Sequence, residues 1–144
     1  MSLEQWMALR DAPLQEIRSR FAIDDAHVDR NASYGRLGPL TELHDAKKHP
    51  ARFYFDGETP VLIYVDDPAA LARCDAADVA KRLGEPAARL RSRASKTFTH
   101  SVYPAAGLAF SAHGQDIAYV EVFPPRTLQD YLDRIYVDPG AFTK

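Results

Sequence analysis

The 144-residue chain has a single cysteine, Cys74, and so can form neither an internal disulfide nor a cysteine-rich zinc site. It has no apolar run near the roughly 18–20 residues that a membrane-spanning helix needs. Its first residues include Glu4, Arg10, Asp11, Glu16, Arg18 and Arg20, which leaves no place for the apolar core of a signal peptide. Excess charge of one sign is missing too. Eighteen Lys and Arg against twenty Asp and Glu leave a net charge of −2, which argues against both a dedicated nucleic-acid coat and a strongly acidic DNA mimic. Glycine is sparse: the seven glycines include no Gly-x-Gly or Gly-Lys-Ser/Thr arrangement, so no phosphate-cradling loop is present. These absences point to a soluble protein of a reducing compartment, with a bacterial cytoplasm as the expected location and no cofactor.

What is present suits one domain. Hydrophobic residues make up 46% and aromatics 10%, enough for a sizeable core at this length. Charge is uneven along the chain. Residues 1–80 hold fourteen acids and nine bases, and residues 81–144 hold six acids and nine bases. This predicts either two faces of opposite sign or acids of the first half facing bases of the second.

The element signals follow in order. Ser2 with Gln5 is a capping-box pattern, and Leu3, Trp6 and Met7 share a helical face. Pro13 fits a first turn, so Asp11 is a candidate cap for a second helix with the stripe Leu14, Ile17 and Phe21. Residues 24–50 hold Gly35, Gly38, Pro39, Pro50 and three histidines, and they read mostly as loop with a short strand at 40–43. Two β-rich runs at 52–55 and 60–65 flank an Asp-Gly turn, a hairpin signal. Asp75 caps a helix whose Val79 and Leu83 point inward, with Gly84 and Pro86 ending it. Strands follow at 90–93, 98–103, 108–112 and 117–123, and Thr127 with Asp130 caps a last helix over 126–136 with the stripe Leu128, Tyr131, Leu132 and Ile135. Short turns between strands imply an antiparallel sheet, hence an α+β single domain over 1–144.

The stretch 75–123 has a capped helix ending in Leu83-Gly84-Glu85-Pro86, a polar strand, the turn Tyr103-Pro104 with Gly107, and then Leu108, Ala109 and Phe110. It resembles the module of the BamE/SmpA-type outer-membrane assembly lipoproteins and of the β-lactamase-inhibitor-protein fold. The resemblance implies a protein-binding sheet surface and no catalytic residues to carry over. The lipoprotein members' signal sequence and lipidated cysteine have no counterpart here, which speaks against a periplasmic anchor. Arg36-Leu37-Gly38 and Arg82-Leu83-Gly84 each precede a hairpin, the weak trace of a tandem repeat.

Few residues carry a chemical signal. His44, Asp45 and His49 have poor spacing for a metal, and Lys47 and Lys48 between them repel a cation, so a solvated loop and no metal are expected. His100 lies beside Ser101, but neighbouring strand residues point to opposite faces, and no Gly-x-Ser-x-Gly elbow exists. Cys74 reads as an inert small residue. The acid pairs Asp24-Asp25, Asp56 with Glu58, and Asp66-Asp67 fit turn chemistry better than acid–base or calcium sites.

The unusual pattern is basic. Arg89, Arg91 and Arg93 alternate on a presumed strand, with Lys96 just beyond, and on one strand they would form a ladder roughly 6.5–7 Å apart. An edge strand charged against aggregation is the first reading of this pattern. As a binding face it would take an acidic protein. Nucleic acid is disfavoured, because no interleaved aromatics or reading helix accompany the charges. The leading expectation is a non-enzymatic protein-binding domain, an inhibitor or immunity-type protein that neutralises its partner. Its contacts are expected at Arg89, Arg91, Arg93 and Lys96, with Tyr54, Tyr64 and Tyr119 as hot-spot suppliers. The alternative is a small enzyme or ligand-binding domain with a pocket between helix and sheet around His100, Tyr103 and Glu121. A pocket holding His100 would favour the alternative, and a filled core with a flat basic face would favour the binder.

Overall fold

The capping box forms as the spacing predicts. Ser2 Oγ accepts the Gln5 N–H at 3.3 Å, and the Gln5 side chain takes the Ser2 N–H at 2.7 Å, which starts α1 (Leu3–Ala8). The computed structural model describes residues 1–140. The second helix, α2 (Leu14–Phe21), is capped by Pro13 and not by Asp11. Proline has no N–H to leave unsatisfied, so it holds the extended cap conformation while the Leu14 N–H turns to the Glu58 carbonyl at 3.2 Å.

The stretch expected to be mostly loop is two strands, β1 (Val28–Tyr34) and β2 (Leu37–Leu43), paired antiparallel around Gly35. Their alternation is hard to see in the sequence. β1 is an edge strand with the polar run Asp29, Arg30 and Asn31, and its ladder is interrupted by two register shifts. The hairpin β3 (Ala51–Asp56) and β4 (Thr59–Val65) follows as predicted. Asp67 then caps an unpredicted single turn, α3 (Pro68–Leu71), by accepting the Ala69 and Ala70 N–H groups. Asp75 caps α4 (Ala76–Leu83) in the same way. Val79 is buried, but Leu83, expected to point inward, is 40% exposed at the helix end.

The second half is a four-strand meander of β5 (Ala88–Arg91), β6 (Thr99–Tyr103), β7 (Leu108–His113) and β8 (Asp116–Val122). Thr127 Oγ1 accepts the Asp130 N–H at 3.1 Å and starts α5 (Leu128–Arg134). All eight strands form one antiparallel sheet in the order β1-β2-β3-β4-β8-β7-β6-β5. Two helices and four strands thus occur twice along the chain, and the two meanders join at β4 and β8. The Arg-Leu-Gly triplets do not mark this repetition, because Leu37 and Gly38 lie in a strand while Leu83 ends a helix.

The sheet has two differently covered faces. Phe53, Phe55, Ile63, Val65, Leu108, Phe110, Val120 and Val122 meet α1 to α4 through Trp6, Leu14, Ile17, Leu71 and Val79. The opposite face holds Tyr34, Leu40, Tyr54, Leu62, Val102 and Ala109, and α5 lies on it through Tyr131 and Ile135. A flat eight-stranded sheet would hold its edge strands about 33 Å apart at ~4.8 Å per strand. Arg93, just past β5, nevertheless donates to the Tyr34 hydroxyl on β1. The sheet is therefore strongly curled, and α5 sits in its concave face.

Candidate functional site

On β8, Tyr119 and Glu121 point to the concave face while Val120 and Val122 point to the helices. Glu121 is 2% exposed. It accepts hydrogen bonds from the hydroxyls of Tyr34 on β1 and Tyr131 on α5, and His100 Nε2 stands 3.3 Å from Oε1. His100 is held by Ser111 Oγ at 2.7 Å on Nδ1 and by Tyr131 Oη at 2.6 Å on Nε2. Ser92 donates to Ser111 at 2.8 Å and accepts the Ala94 N–H at 3.0 Å. One arrangement of protons satisfies the whole chain: Ala94 to Ser92, Ser92 to Ser111, Ser111 to Nδ1, and Nε2–H to Tyr131 and Glu121. Burial opposes the Glu121 charge, but the hydrogen bonds from His100, Tyr131 and Tyr34 outweigh it and hold its pKa below the usual glutamate value. Burial, then the Glu121 charge, pushes the Tyr34 and Tyr131 phenols well above theirs.

Beside this sealed network lies a tyrosine patch. Tyr34 and Tyr54 have ring centroids 5.2 Å apart, Tyr34 and Tyr64 5.9 Å, and Tyr64 and Tyr119 5.4 Å. The Arg93 guanidinium carbon sits 5.0, 5.4 and 4.7 Å from the centroids of Tyr34, Tyr64 and Tyr119, within cation–π range of all three. Arg93 also approaches Glu121 Oε2 at 3.9 Å. Burial works against its charge, yet Tyr34, Tyr119 and Glu121 more than offset that and raise its pKa. Burial pushes the half-buried Tyr64 phenol up to about 12.

The arginine ladder does not form. β5 ends at Arg91, and the backbone bends at Arg93 and Ala94, which carries Arg93 over the tyrosines. Arg89 ion-pairs with Glu85 at 2.5 Å, Arg91 meets Asp138 at 3.3 Å, and Lys96 is exposed in the β5–β6 loop. Of the predicted hot-spot tyrosines, Tyr64 and Tyr119 line the Arg93 site and Tyr54 backs Tyr34.

His100 and Glu121 come together as the alternative reading placed them, but Tyr103 does not join them. By strand alternation it faces the helices, stacking on Phe110 and donating to the Gly84 carbonyl at 3.1 Å. Five clefts of 320 to 480 Å³ open on the surface, and none of these five is lined by His100, Glu121 or Tyr131. Sequence reasoning missed Tyr34, Ser111 and the polar role of Tyr131. Ser111 had a signal, since an antiparallel turn at 104–107 sets His100 opposite Ser111. Tyr34 and Tyr131 had none, because sheet curl and helix docking bring them in.

The 44–50 loop is not solvated throughout as expected. Asp45 and His49 are each 4% exposed, and His49 Nε2 accepts the Asp45 N–H at 3.0 Å between the rings of Phe21, Phe53 and His44. Burial lowers the His49 pKa. Among the described residues no group of three His, Cys, Asp or Glu side chains could hold a metal ion. Cys74 is buried, and burial pushes its thiol up. No helix among the described residues is long and apolar enough to cross a membrane. No family model matches the chain, and no curated protein or solved structure matches it either.

Proposed function

We propose that the chain is a non-enzymatic protein-binding domain, of the inhibitor or immunity type, that covers the active surface of an acidic partner protein in a bacterial cytoplasm. The observation that carries this reading is a contrast on the concave face. The side chains able to do acid–base chemistry, His100, Glu121, Tyr131 and Ser111, are buried and occupied with one another. Beside them the half-buried Tyr64 is held between the rings of Tyr34 and Tyr119 with the partly exposed Arg93 over it, and tyrosine and arginine are the residue types that anchor interfaces. Rigid anchors lower the ordering cost of association. Lys96, exposed in the β5–β6 loop, adds positive charge beyond Arg93, suited to faster encounter with an acidic surface, whereas Arg89 is paired with Glu85 on the helix side of β5. A sheet face used for binding is also what the resemblance to the BamE/SmpA and β-lactamase-inhibitor-protein modules implies. The enzyme or ligand-binding alternative retains one supporting observation, the 3.3 Å approach of His100 to Glu121.

The test is affinity capture from source cells with the tagged wild type, an Arg89→Glu/Lys96→Glu variant and a Tyr64→Ser variant. All three are first shown to be folded by thermal unfolding. The expected result is one stoichiometric partner held by the wild type and lost by at least one variant. No partner, or one kept equally by both variants, overturns the reading.

A further inference from the structure

The three rings around Arg93 stand on β1, β4 and β8, whereas Arg93 itself comes from the irregular segment between β5 and β6. The walls are therefore built without the residue that fills them. Tyr34 and Tyr119 are each less than one-tenth exposed, and Tyr34 is braced by Tyr54 and by its hydrogen bond to Glu121. Beneath the cation lies a carboxylate, Glu121, 97% buried at the side chain and charged at neutral pH. Faces of three aromatic rings over a buried anion make a receptor for a flat organic cation. The cation in it is 37% exposed at its side chain, so one side of the receptor opens to solvent.

We infer that Tyr34, Tyr64, Tyr119 and Glu121 form a guanidinium-binding site whose resident occupant, Arg93, exchanges with an external guanidinium such as an arginine side chain. A guanidinium fits better than a quaternary ammonium, because the site offers two acceptors as well as rings. Arg93 Nη2 donates to the Tyr34 hydroxyl and faces Glu121 Oε2 at 3.9 Å. A cation lacking N–H groups meets only the rings. Displacement would free Arg93 on the same segment as Lys96, beside Arg89 and Arg91, and so add a mobile charge to that edge. The inference does not rest on the domain's having a protein partner, since a small cation tests it directly.

The experiment is a titration of the full chain with methylguanidinium, followed by NMR of the tyrosine rings and the arginine Nε–H signals. Four proteins are compared: the wild type, Arg93→Ala, Arg93→Ala/Tyr119→Leu, and Arg93→Ala/Tyr34→Phe. Each is first shown to be folded by circular dichroism. Arg93→Ala should bind saturably, with shifts centred on Tyr34, Tyr64 and Tyr119. The wild type should bind about tenfold more weakly, because its own arginine competes at high effective concentration, and its Arg93 Nε–H signal should move. Tyr119→Leu should abolish binding, and Tyr34→Phe, which keeps the ring and removes one acceptor, should weaken it severalfold. Tetramethylammonium should bind Arg93→Ala about tenfold more weakly than methylguanidinium does. If folded Arg93→Ala shows no saturable binding, or binding that Tyr119→Leu leaves intact, there is no such site. If Arg93→Ala binds while the wild-type Arg93 signal stays fixed at saturation, the occupant does not exchange and the inference fails on that point.

Discussion

Glu121 accepts from two phenols while His100 and Arg93 crowd its oxygens, a density of donors that only a carboxylate can answer. Glu121→Gln would turn an NH₂ donor toward at least one of these groups and leave a buried donor unpaired. The expected loss is about 2–4 kcal/mol in urea denaturation with an unchanged m-value. Tyr34→Phe, which removes one donor to the carboxylate and one acceptor for Arg93, should lose about 1–2 kcal/mol. Two buried groups contribute to the acid limb of stability, and both have folded-state pKa values below their ordinary ones. Burial lowers His49 from 6.5, so the unfolded chain binds that proton more readily and the His49 contribution, complete above 6.5, is lost as pH falls through and below it. Glu121 is lowered from 4.5, so its contribution is present above 4.5 and lost as pH falls through the folded value. Unfolding free energy measured from pH 8 to 4 should therefore decline first below about 6.5, and His49→Gln should flatten that first decline. Little of this was legible beforehand. Strand alternation correctly put His100 and Ser101 on opposite faces, but the serine that His100 meets is on the neighbouring strand, and its tyrosine comes from a helix 31 residues away.

At the scale of elements, local chemistry was the reliable guide. The caps at Ser2, Asp75 and Thr127 and the Asp56-Gly57 turn work within a few residues, so the sequence shows them directly. β1 and β2 escaped because an edge strand with interrupted pairing and polar residues loses its period-two pattern. Gly35 looked like loop punctuation and is in fact where α5 docks. Its φ is +57°, the Arg36 N–H bonds the Arg134 carbonyl at 2.8 Å, and a Cβ at Gly35 would collide with the Ile135 carbonyl oxygen. Gly57 has a similar φ of +62° but open space around it. Gly57→Ala should cost about 1 kcal/mol, the left-handed penalty alone, and Gly35→Ala about 2–3 kcal/mol. Denaturant unfolding measures both, and limited proteolysis should cut residues 124–140 earlier in Gly35→Ala than in Gly57→Ala. Equal effects for the two would mean that α5 does not depend on this contact.

For the whole molecule the decisive feature is the β4–β8 junction, which makes two meanders one sheet. Neither half can bury its apolar faces alone, because Val122 pairs with Ile63 across the junction and α5, from the second half, ends on the β1–β2 turn of the first. Urea unfolding should be a single transition, with Trp6 fluorescence from the first half coinciding with far-ultraviolet circular dichroism from the whole chain. Separate midpoints would show that the halves are independent domains. The uneven charge resolves mainly within each half, through Arg18–Asp25, Arg52–Glu42, Arg89–Glu85 and Arg91–Asp138, with Glu4–Arg82 crossing between them. The sequence by itself determined the α+β class, the antiparallel meander and most element ends, because caps, turns and alternation act over two to four residues. Only the tertiary structure decided which side chains meet. Curling of the sheet carries Arg93 from one edge to Tyr34 on the other and puts α5 over Glu121, and the twist and closure behind that depend on all eight strands at once.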